Sequence, residues 1–297
     1  MLRMIRLRYK GLLKNAAVFT VCAAVLIACI LLVRPAFAKD AAKKEKTGIF
    51  VPIIMYHSIL KDAAQQGDYV LSPVVLEQDI SYLKQHGYTT VFVSDLVAYV
   101  QNGTPLPEKP VVLTFDDGSY NNLVYALALL EKYDCKAVFS VVGSYTEKAA
   151  KEKTQSVSYS YLNFEDVKAL AASGRVEIAN HSYDLHSMDN GRRGTMRKPG
   201  EDEADYCAML AADTAKNQAL LTAQCGVTPE IYAYPYGLVC KEARCVMGQA
   251  GFAATLGVAE APNYITRDEA CLCELNRYNR PAGISTEAFM RKALGSP

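Results

Sequence analysis

The feature that most constrains the fold is an alternation, from residue 51 onward, between short apolar runs and longer stretches with helical spacing. The stretch 72–87 shows the helical type, with a Ser cap, Pro in the first turn, apolar residues three and four apart, and a closing Gly. The run 111–115, VVLTF, is typical of a buried strand. Strands separated by helices pair in parallel, because a parallel neighbour is reached only through a crossover. The sequence therefore predicts an α/β fold.

About seven or eight strand–helix units lie within residues 49–297, which are predicted to form a single domain. This number favours a distorted (β/α)7-type barrel over an open sheet. The predicted strands are 51–57, 90–93, 111–115, 136–142, 175–179, 231–234, 252–256 and 274–279. The predicted helices are 72–87, 121–133, 163–174, 202–224, 241–250 and a last one from Ser285. The polar stretches 145–162 and 187–200 are predicted to be surface loops.

Residues 1–38 form a membrane-targeting segment that precedes this fold. Five Lys and Arg residues lie within positions 3–14, and the chain then runs without charge through the 18 residues 16–33. That length just reaches a bilayer span and indicates an uncleaved anchor, whereas AFA at 36–38 fits a signal-peptidase site. LIAC, ending at Cys29, resembles a lipoprotein box, but the apolar ILLV that follows argues against this third interpretation. All three interpretations export the rest of the chain, to the outer face of the cell membrane or beyond it. The charged stretch 39–48 is the predicted linker.

The charge balance of the exported part argues against nucleic-acid binding. Residues 1–38 hold six of the 32 Lys and Arg residues and no acid, which leaves 26 basic residues against 31 acidic ones. A nucleic-acid-binding domain needs a basic face, and this mildly acidic balance does not provide one.

The cysteines beyond the membrane segment number seven, so at least one thiol is unpaired unless it bonds to another chain. Cys135, just before an apolar run, is the expected buried free thiol. The other six are candidates for disulfides in an oxidising compartment, for example Cys207 with Cys225. A zinc-binding cysteine cluster is the competing interpretation of CLC at 271–273.

Reactive side chains follow the predicted strands one after another. His57 ends the first strand, Asp116 and Asp117 end the third, and His181 and His186 follow the strand at 175–179. Asp-Gly is also a common turn signal, but the βα loops of a parallel barrel all open on one face, where these residues are expected to meet. One carboxylate and two imidazoles match the protein ligands of a catalytic zinc or similar divalent ion.

Two motifs carry a resemblance to a known family. TFDDG at 114–118, with HSYDLH at 181–186, resembles the polysaccharide deacetylases of carbohydrate esterase family four, the NodB-homology domain. The resemblance covers roughly residues 50–295 and implies hydrolysis of N-acetyl groups on peptidoglycan or poly-N-acetylglucosamine. It implies Asp116 as catalytic base, with Asp117, His181 and His186 as ligands of Zn²⁺, or of Co²⁺, Ni²⁺ or Mn²⁺.

Departures from the family pattern refine these roles. The spacing of five between the two histidines is similar to the branch that deacetylates poly-β-1,6-N-acetylglucosamine. In that branch an MYH near the start of the domain supplies the general acid, which implies His57 here. YPYG is the usual form of its third motif and implies that the backbone N–H of Tyr236 stabilises the oxyanion. The arginine that usually orients the base is missing from this motif, and Arg280 is the candidate to replace it.

The partners implied are a polysaccharide substrate and, through the N-terminal segment, a membrane; a monomer is expected. Two other classes stay open from the sequence alone. One is a non-catalytic glycan-binding protein on the same fold, and the other is a different metal-dependent hydrolase, such as a phosphatase or an amidase.

Overall fold

The computed structural model describes residues 48–189 and 191–295. The predicted membrane segment at 1–38 and all of the predicted linker except Gly48 lie outside those residues. Within the described ranges, no helix combines the length and the apolar character needed to cross a membrane. The described residues belong to one compact unit that begins at Gly48.

A curled parallel sheet forms the centre of this unit. Seven strands follow the order β10–β9–β8–β7–β6–β2–β12, and β5 pairs with β6 beside this path. Leu275, just before β12, bridges in parallel to Leu256 of β10, so the last segment contacts both edges of the sheet. This architecture confirms the predicted α/β class and the curled parallel sheet of the expected barrel. The strands are β1 (Ile49–Phe50), β2 (Ile53–Tyr56), β3 (Ser58–Ile59), β4 (Val70–Leu71), β5 (Thr89–Thr90), β6 (Pro110–Phe115), β7 (Ala137–Val141), β8 (Val176–Asn180), β9 (Ile231–Ala233), β10 (Ala254–Leu256), β11 (Tyr264–Ile265) and β12 (Tyr278–Asn279).

Helices connect these strands, and several begin at the caps that the sequence predicts. Ser72 accepts a hydrogen bond from the Val75 amide, and Ser285 accepts one from the Ala288 amide. A π-helical turn at Asn122–Ala126 runs directly into the third helix. The helices are α1 (Pro73–Gln85), α2 (Val93–Asn102), α3 (Leu127–Lys132), α4 (Gly143–Ala149), α5 (Phe164–Ala172), α6 (Glu203–Cys225), α7 (Lys241–Gln249) and α8 (Thr286–Ala293).

Three predicted elements were wrong in type or extent. Of the residues predicted as strand 90–93, Thr90 belongs to β5 and Val93 begins α2, whereas Val91 and Phe92 belong to neither element. The predicted strand 274–279 is regular only at Tyr278–Asn279, because Leu275 makes an isolated bridge instead. The predicted loop 145–162 overlaps α4, which continues to Ala149.

Side chains alternate between the two faces of the sheet, as they must along a pleated strand. Ile54 and Phe115 face the cluster that is covered by α1, α3, α5 and α8. Ile53 and Val112 face the other cluster, which α2 covers. Since Thr114 and Asp116 follow Val112 at intervals of two, their side chains belong to the face that α2 covers.

All seven cysteines of the described residues carry free thiols. Cys135 is buried, as predicted. The suggested disulfide between Cys207 and Cys225 is wrong, because both residues lie on α6, where a rise of 1.5 Å per residue separates them by about 27 Å. The cysteines at 271–273 join no group of three potential metal ligands in the described part of the chain.

Candidate active site

Three of the predicted site residues converge where β6 and β8 end. His186 Nε2 lies 3.0 Å from Asp117 Oδ1, and His181 Nε2 lies 3.5 Å from the same oxygen. One ligand atom from each of the three residues lies within 4.8 Å of the others. The structure therefore brings together all three predicted metal ligands.

The loops that carry these ligands have unusual backbone conformations. Asp117 and Ser182 adopt left-handed φ angles of 70° and 71°, which are uncommon for residues other than glycine. The segment from His181 to His186 is a loop and not a helix, so imidazoles five residues apart can face the same point. Strain of this kind is often retained where it positions functional side chains.

Hydrogen bonds orient the two imidazoles. His181 Nδ1 lies 2.7 Å from the Ala233 carbonyl oxygen, so this nitrogen carries the proton and Nε2 keeps its lone pair for a metal. The Tyr145 hydroxyl donates to the His186 carbonyl oxygen at 3.0 Å and lies 3.5 Å from His186 Nδ1. The Tyr236 ring packs against the His186 ring at a tilt of 35°, with 4.4 Å between the ring centroids.

The donor set fits a divalent transition metal. Asp117 Oδ1 is buried and makes no well-aligned hydrogen bond with the described residues, although the ring nitrogens of His186 and His181 lie 3.0 and 3.5 Å away. A buried carboxylate is costly unless a positive partner compensates it. Burial raises the pKa of the Asp117 carboxyl, but the imidazoles of His181 and His186 outweigh burial and hold that pKa well below its usual value. One carboxylate oxygen with two imidazole nitrogens is a set that zinc and similar ions accept.

Asp116 is held by a buried arginine. Arg277 Nη1 donates to Asp116 Oδ1 at 2.9 Å, and Nη2 lies 2.8 Å from Oδ2. The arginine is anchored in turn, because its Nε donates to the Gly257 carbonyl oxygen at 2.7 Å and Nη1 donates to Thr114 Oγ1 at 3.2 Å. Burial raises the pKa of Asp116, but the positive charge of Arg277 outweighs burial and holds the pKa well below its ordinary value. Asp116 is therefore an ionised carboxylate with a fixed orientation.

Arg280, the predicted orienting residue, does not contact Asp116. Its Nε donates to Asp79 Oδ2 at 2.8 Å, and the pair is buried on the side of the sheet that faces α1 and α8. Tyr278 pairs with Ile54, so Arg277 lies beside Ile53 and shares its face with Asp116. The alternation of side chains along this strand is the signal that distinguishes the two arginines.

His57, the predicted general acid, lines the same cavity as Asp116 and Asp117, and this cavity has a volume of about 610 Å³. The His57 ring contacts the Tyr69 ring edge-on, at 4.8 Å between centroids. Its Nδ1 is buried without a hydrogen-bond partner among the described residues. Burial lowers the pKa of His57 from its ordinary value, although Asp116 and Asp117 act in the opposite direction.

Tyr236 lies at the mouth of this cavity, on the turn that follows β9. Its φ is 57°, and the next residue, Gly237, also has a positive φ, of 63°. A Cβ atom at Gly237 would lie 2.1 Å from the Val258 side chain, so only glycine fits there. This close approach fixes the backbone around Tyr236.

Apolar side chains surround the cavity opening. Tyr69, Met188, Tyr236 and Val258 all line the cavity, and each is exposed by more than a third of its surface. Exposed apolar residues that gather in one place are typical of a binding surface, and aromatic rings suit the apolar faces of sugars.

Comparisons with known proteins point to one family. The family described as "Polysaccharide deacetylase" matches residues 103–255. An Escherichia coli K12 protein named poly-β-1,6-N-acetyl-D-glucosamine N-deacetylase is 26% identical over 202 residues, which cover 62% of this chain and 30% of the relative. A Staphylococcus aureus protein of the same name is 24% identical over 184 residues, which cover 62% of this chain and 59% of the relative. This chain therefore spans less than two thirds of the length of either relative.

Solved structures share the fold. A de-N-acetylase from Aggregatibacter actinomycetemcomitans superimposes with a TM-score of 0.69 at 22% identity, over 82% of this chain and 99% of that one. The Streptococcus pyogenes deacetylase PplD, solved in complex with acetate, gives a TM-score of 0.67 at 20% identity, over 83% and 99%. The architecture described above is thus that of known deacetylases.

Proposed function

This chain belongs to the polysaccharide deacetylase family, and from that premise we propose that it removes N-acetyl groups from a polysaccharide that contains N-acetylglucosamine, releasing acetate. The observation that carries the proposal is the convergence of Asp117, His181 and His186 beside the buried Asp116–Arg277 pair. A protein that only binds glycans would have no need for a fixed carboxylate next to three potential metal ligands.

Asp117, His181 and His186 would hold the metal, with Zn²⁺ the first choice and Co²⁺, Ni²⁺ or Mn²⁺ as alternatives. A divalent ion held there supplies Lewis-acid polarisation of a carbonyl group and a lower pKa for water. The role of the protein is to direct both imidazoles at one point, and the hydrogen bond from His181 Nδ1 to the Ala233 carbonyl oxygen supports this role for His181.

Asp116 would act as the general base that takes a proton from the attacking water. Its pKa lies below the ordinary value, so the carboxylate is ionised and ready to accept a proton throughout the neutral range. Arg277 holds both of its oxygens, one through the hydrogen bond from Nη1 and the other through the ion pair with Nη2, and so restricts its orientation.

His57 would protonate the leaving amine, which departs poorly as an anion. Because burial lowers the pKa of His57, its protonated form is favoured towards acidic pH. The backbone N–H of Tyr236, at the cavity mouth, would donate to the oxyanion that forms when water attacks the acetamide carbonyl.

The substrate proposed first is poly-β-1,6-N-acetylglucosamine, because the Escherichia coli and Staphylococcus aureus relatives carry that name. Peptidoglycan is the alternative glycan. We propose action at the outer face of the cell membrane or after secretion, on the basis of the basic and apolar sequence at 1–38. The proposed oligomeric state is a monomer.

The test is acetate release from β-1,6-linked N-acetylglucosamine oligomers, chitin oligomers and peptidoglycan, with added Zn²⁺. Asp116→Asn should keep its metal but lose about 10²- to 10⁴-fold in turnover, since it removes the base and leaves the ligands. Asp205→Asn, an exposed change on α6, is the matched control and should be fully active. Absence of acetate from every substrate in the metal-loaded protein would refute the proposal.

His57→Ala tests the general acid separately. Turnover should fall while the bound metal, measured by elemental analysis, stays the same. If turnover is unchanged, His57 has no part in the reaction. If metal is lost as well, His57 belongs to the ligand set.

A further inference from the structure

Two neighbouring asparagines fasten the segment that follows β2. Asn122 Nδ2 donates to the His57 carbonyl oxygen at 2.6 Å. Asn121 Oδ1 accepts from the Ile59 amide at 3.0 Å, and its Nδ2 donates to Ser58 Oγ at 2.8 Å. Three consecutive residues, beginning with His57, are thus tied to one pair of side chains.

These asparagines are buried, so their hydrogen bonds cannot be replaced by water without rearrangement. Asn122 is 0% exposed and Asn121 is 3% exposed. Asn122 also begins the π-helical turn Asn122–Ala126. Turns of this kind frequently occur at functional sites, and here the turn joins α3 to the loop that carries the aspartates.

The His57 imidazole itself has no comparable anchor. Its Nδ1 makes no hydrogen bond with the described residues, whereas His181 Nδ1 is fixed by the Ala233 carbonyl oxygen. Among the residues that the structure describes, the edge-on contact with Tyr69 is the one ring contact that His57 makes. The placement of the His57 ring therefore depends on the backbone from which it extends.

We propose that Asn122, assisted by Asn121, is a positioning residue that fixes the backbone of His57 so that its imidazole reaches the leaving amine. This inference rests on the proposed function, in which His57 is the general acid. It means that residues 116–122 supply the base, one metal ligand and the clamp on the acid from one continuous segment.

The experiment compares two substrates that differ in their need for an acid. A β-1,6-linked N-acetylglucosamine oligomer has an amine leaving group that must be protonated, whereas 4-nitrophenyl acetate releases a phenolate that leaves without a proton. In Asn122→Ala, kcat for the oligomer should fall by about tenfold or more while KM and the ester rate change little. The rate at which Asp116→Asn hydrolyses 4-nitrophenyl acetate is subtracted from each ester rate as the background.

The ratio of the oligomer rate to the ester rate does not depend on how much of the sample is folded, because both rates scale with the amount of active protein. Asn122→Ser, which keeps a polar group at the position, should lower the same ratio and serves if the alanine variant does not fold. Equal losses on both substrates in these variants, or no loss on either, would overturn the inference.

Asn263→Ala is the matched control. Asn263 is also buried, and its Nδ2 donates to the Val51 carbonyl oxygen at 3.2 Å, near the opposite end of β2 from His57. This variant should leave the ratio unchanged. His57→Ala in the same assay separates the two proposals: if it fails to lower the ratio, the general acid is wrong, and if it lowers the ratio where the Asn122 variants do not, the clamp is wrong.

Discussion

Two buried arginines, three residues apart, hold carboxylates on opposite faces of the sheet. Arg277 binds Asp116 inside the candidate site, and Arg280 binds Asp79 between the sheet and α1. Both pairs use two guanidinium nitrogens, and all four side chains are almost inaccessible to solvent. An arginine is better suited than a lysine to such pairs, because its planar group binds both carboxylate oxygens.

Arg277→Lys and Arg280→Lys should therefore have similar effects on stability and different effects on catalysis. Each should lower the free energy of unfolding by about 1–3 kcal/mol, because a buried carboxylate loses a hydrogen bond. Only Arg277→Lys should lower kcat, by about 10²-fold, because Asp116 is no longer aligned. Urea unfolding and acetate release measure the two effects, and equal losses of kcat would contradict the assigned roles.

The sequence predicted the residues at the strand ends but not their partners. Asp117, His181 and His186 were predictable as a cluster because they follow strands that end on one side of a parallel sheet. Choosing between Arg277 and Arg280 required the register of β12 against β2, which the sequence alone does not provide. The hydrogen bond of Asn122 to His57 likewise depends on tertiary structure.

At the scale of elements, the least predictable feature is the start of α2. Phe92, which precedes the helix, makes no side-chain capping bond. The Val93 and Ser94 amides instead donate to Glu177 Oε2 at 3.0 and 3.3 Å, and Glu177 belongs to β8. Because part of the cap comes from a distant strand, the apolar residues at 91–93 were mistaken for a strand.

Glu177 should make stability depend on pH. Burial raises its pKa, although the amides of Ser94 and Val93 act against burial. The folded protein then binds the proton more tightly than the unfolded chain, so this stabilisation is complete below the unfolded pKa and is lost as pH rises through the folded one. As pH rises above the ordinary pKa of a glutamate and through the raised pKa of Glu177, the free energy of unfolding should fall relative to that of Glu177→Gln, which cannot titrate.

Urea denaturation of both proteins across that range measures the difference. Glu165→Gln, at an exposed position on α5, is the control and should follow the wild-type profile. A Glu177→Gln profile parallel to the wild type would show that the carboxyl has the same proton affinity in both states.

The turn after β9 gives a second prediction at this scale. Gly237→Ala should destabilise the protein by about 1–2 kcal/mol or more and lower kcat, because an L-residue resists the positive φ and its Cβ meets Val258. Gly248→Ala, inside α7 with open space around it, should stabilise the protein by about 0.5–1 kcal/mol. Thermal unfolding and acetate release test both variants. If Gly237→Ala changes neither stability nor kcat, the tight approach of the turn to Val258 is contradicted.

At the scale of the whole molecule, the α/β class followed from the alternation of strands and helices. That alternation reflects a sheet that is covered on both faces. In β6, for example, every residue is buried, whichever face its side chain belongs to. The boundary errors arose where tertiary contacts override local preference, as at Leu275, which bridges to β10 instead of extending β12.

Metal binding should stabilise the entire domain, since it favours the folded state in which the ligands are assembled. At a free Zn²⁺ concentration of 100 times Kd, the gain is about 2.7 kcal/mol. His186→Ala should lose this gain, whereas His86→Ala, which alters an exposed histidine stacked on Tyr82, should keep it. Thermal unfolding with and without Zn²⁺ measures the shift, and an equal shift in both variants would place the metal elsewhere.

The link between Asp116 and Arg277 joins residues that are 161 positions apart. While the polypeptide is being synthesised, the strand with the acidic residue is complete long before its cationic partner is made. A buried carboxylate without that partner is strongly disfavoured, so the interior cannot close early. Newly made fragments should therefore be inert, and hydrolytic competence should arise in a single late step, when the segment around residue 277 takes its place.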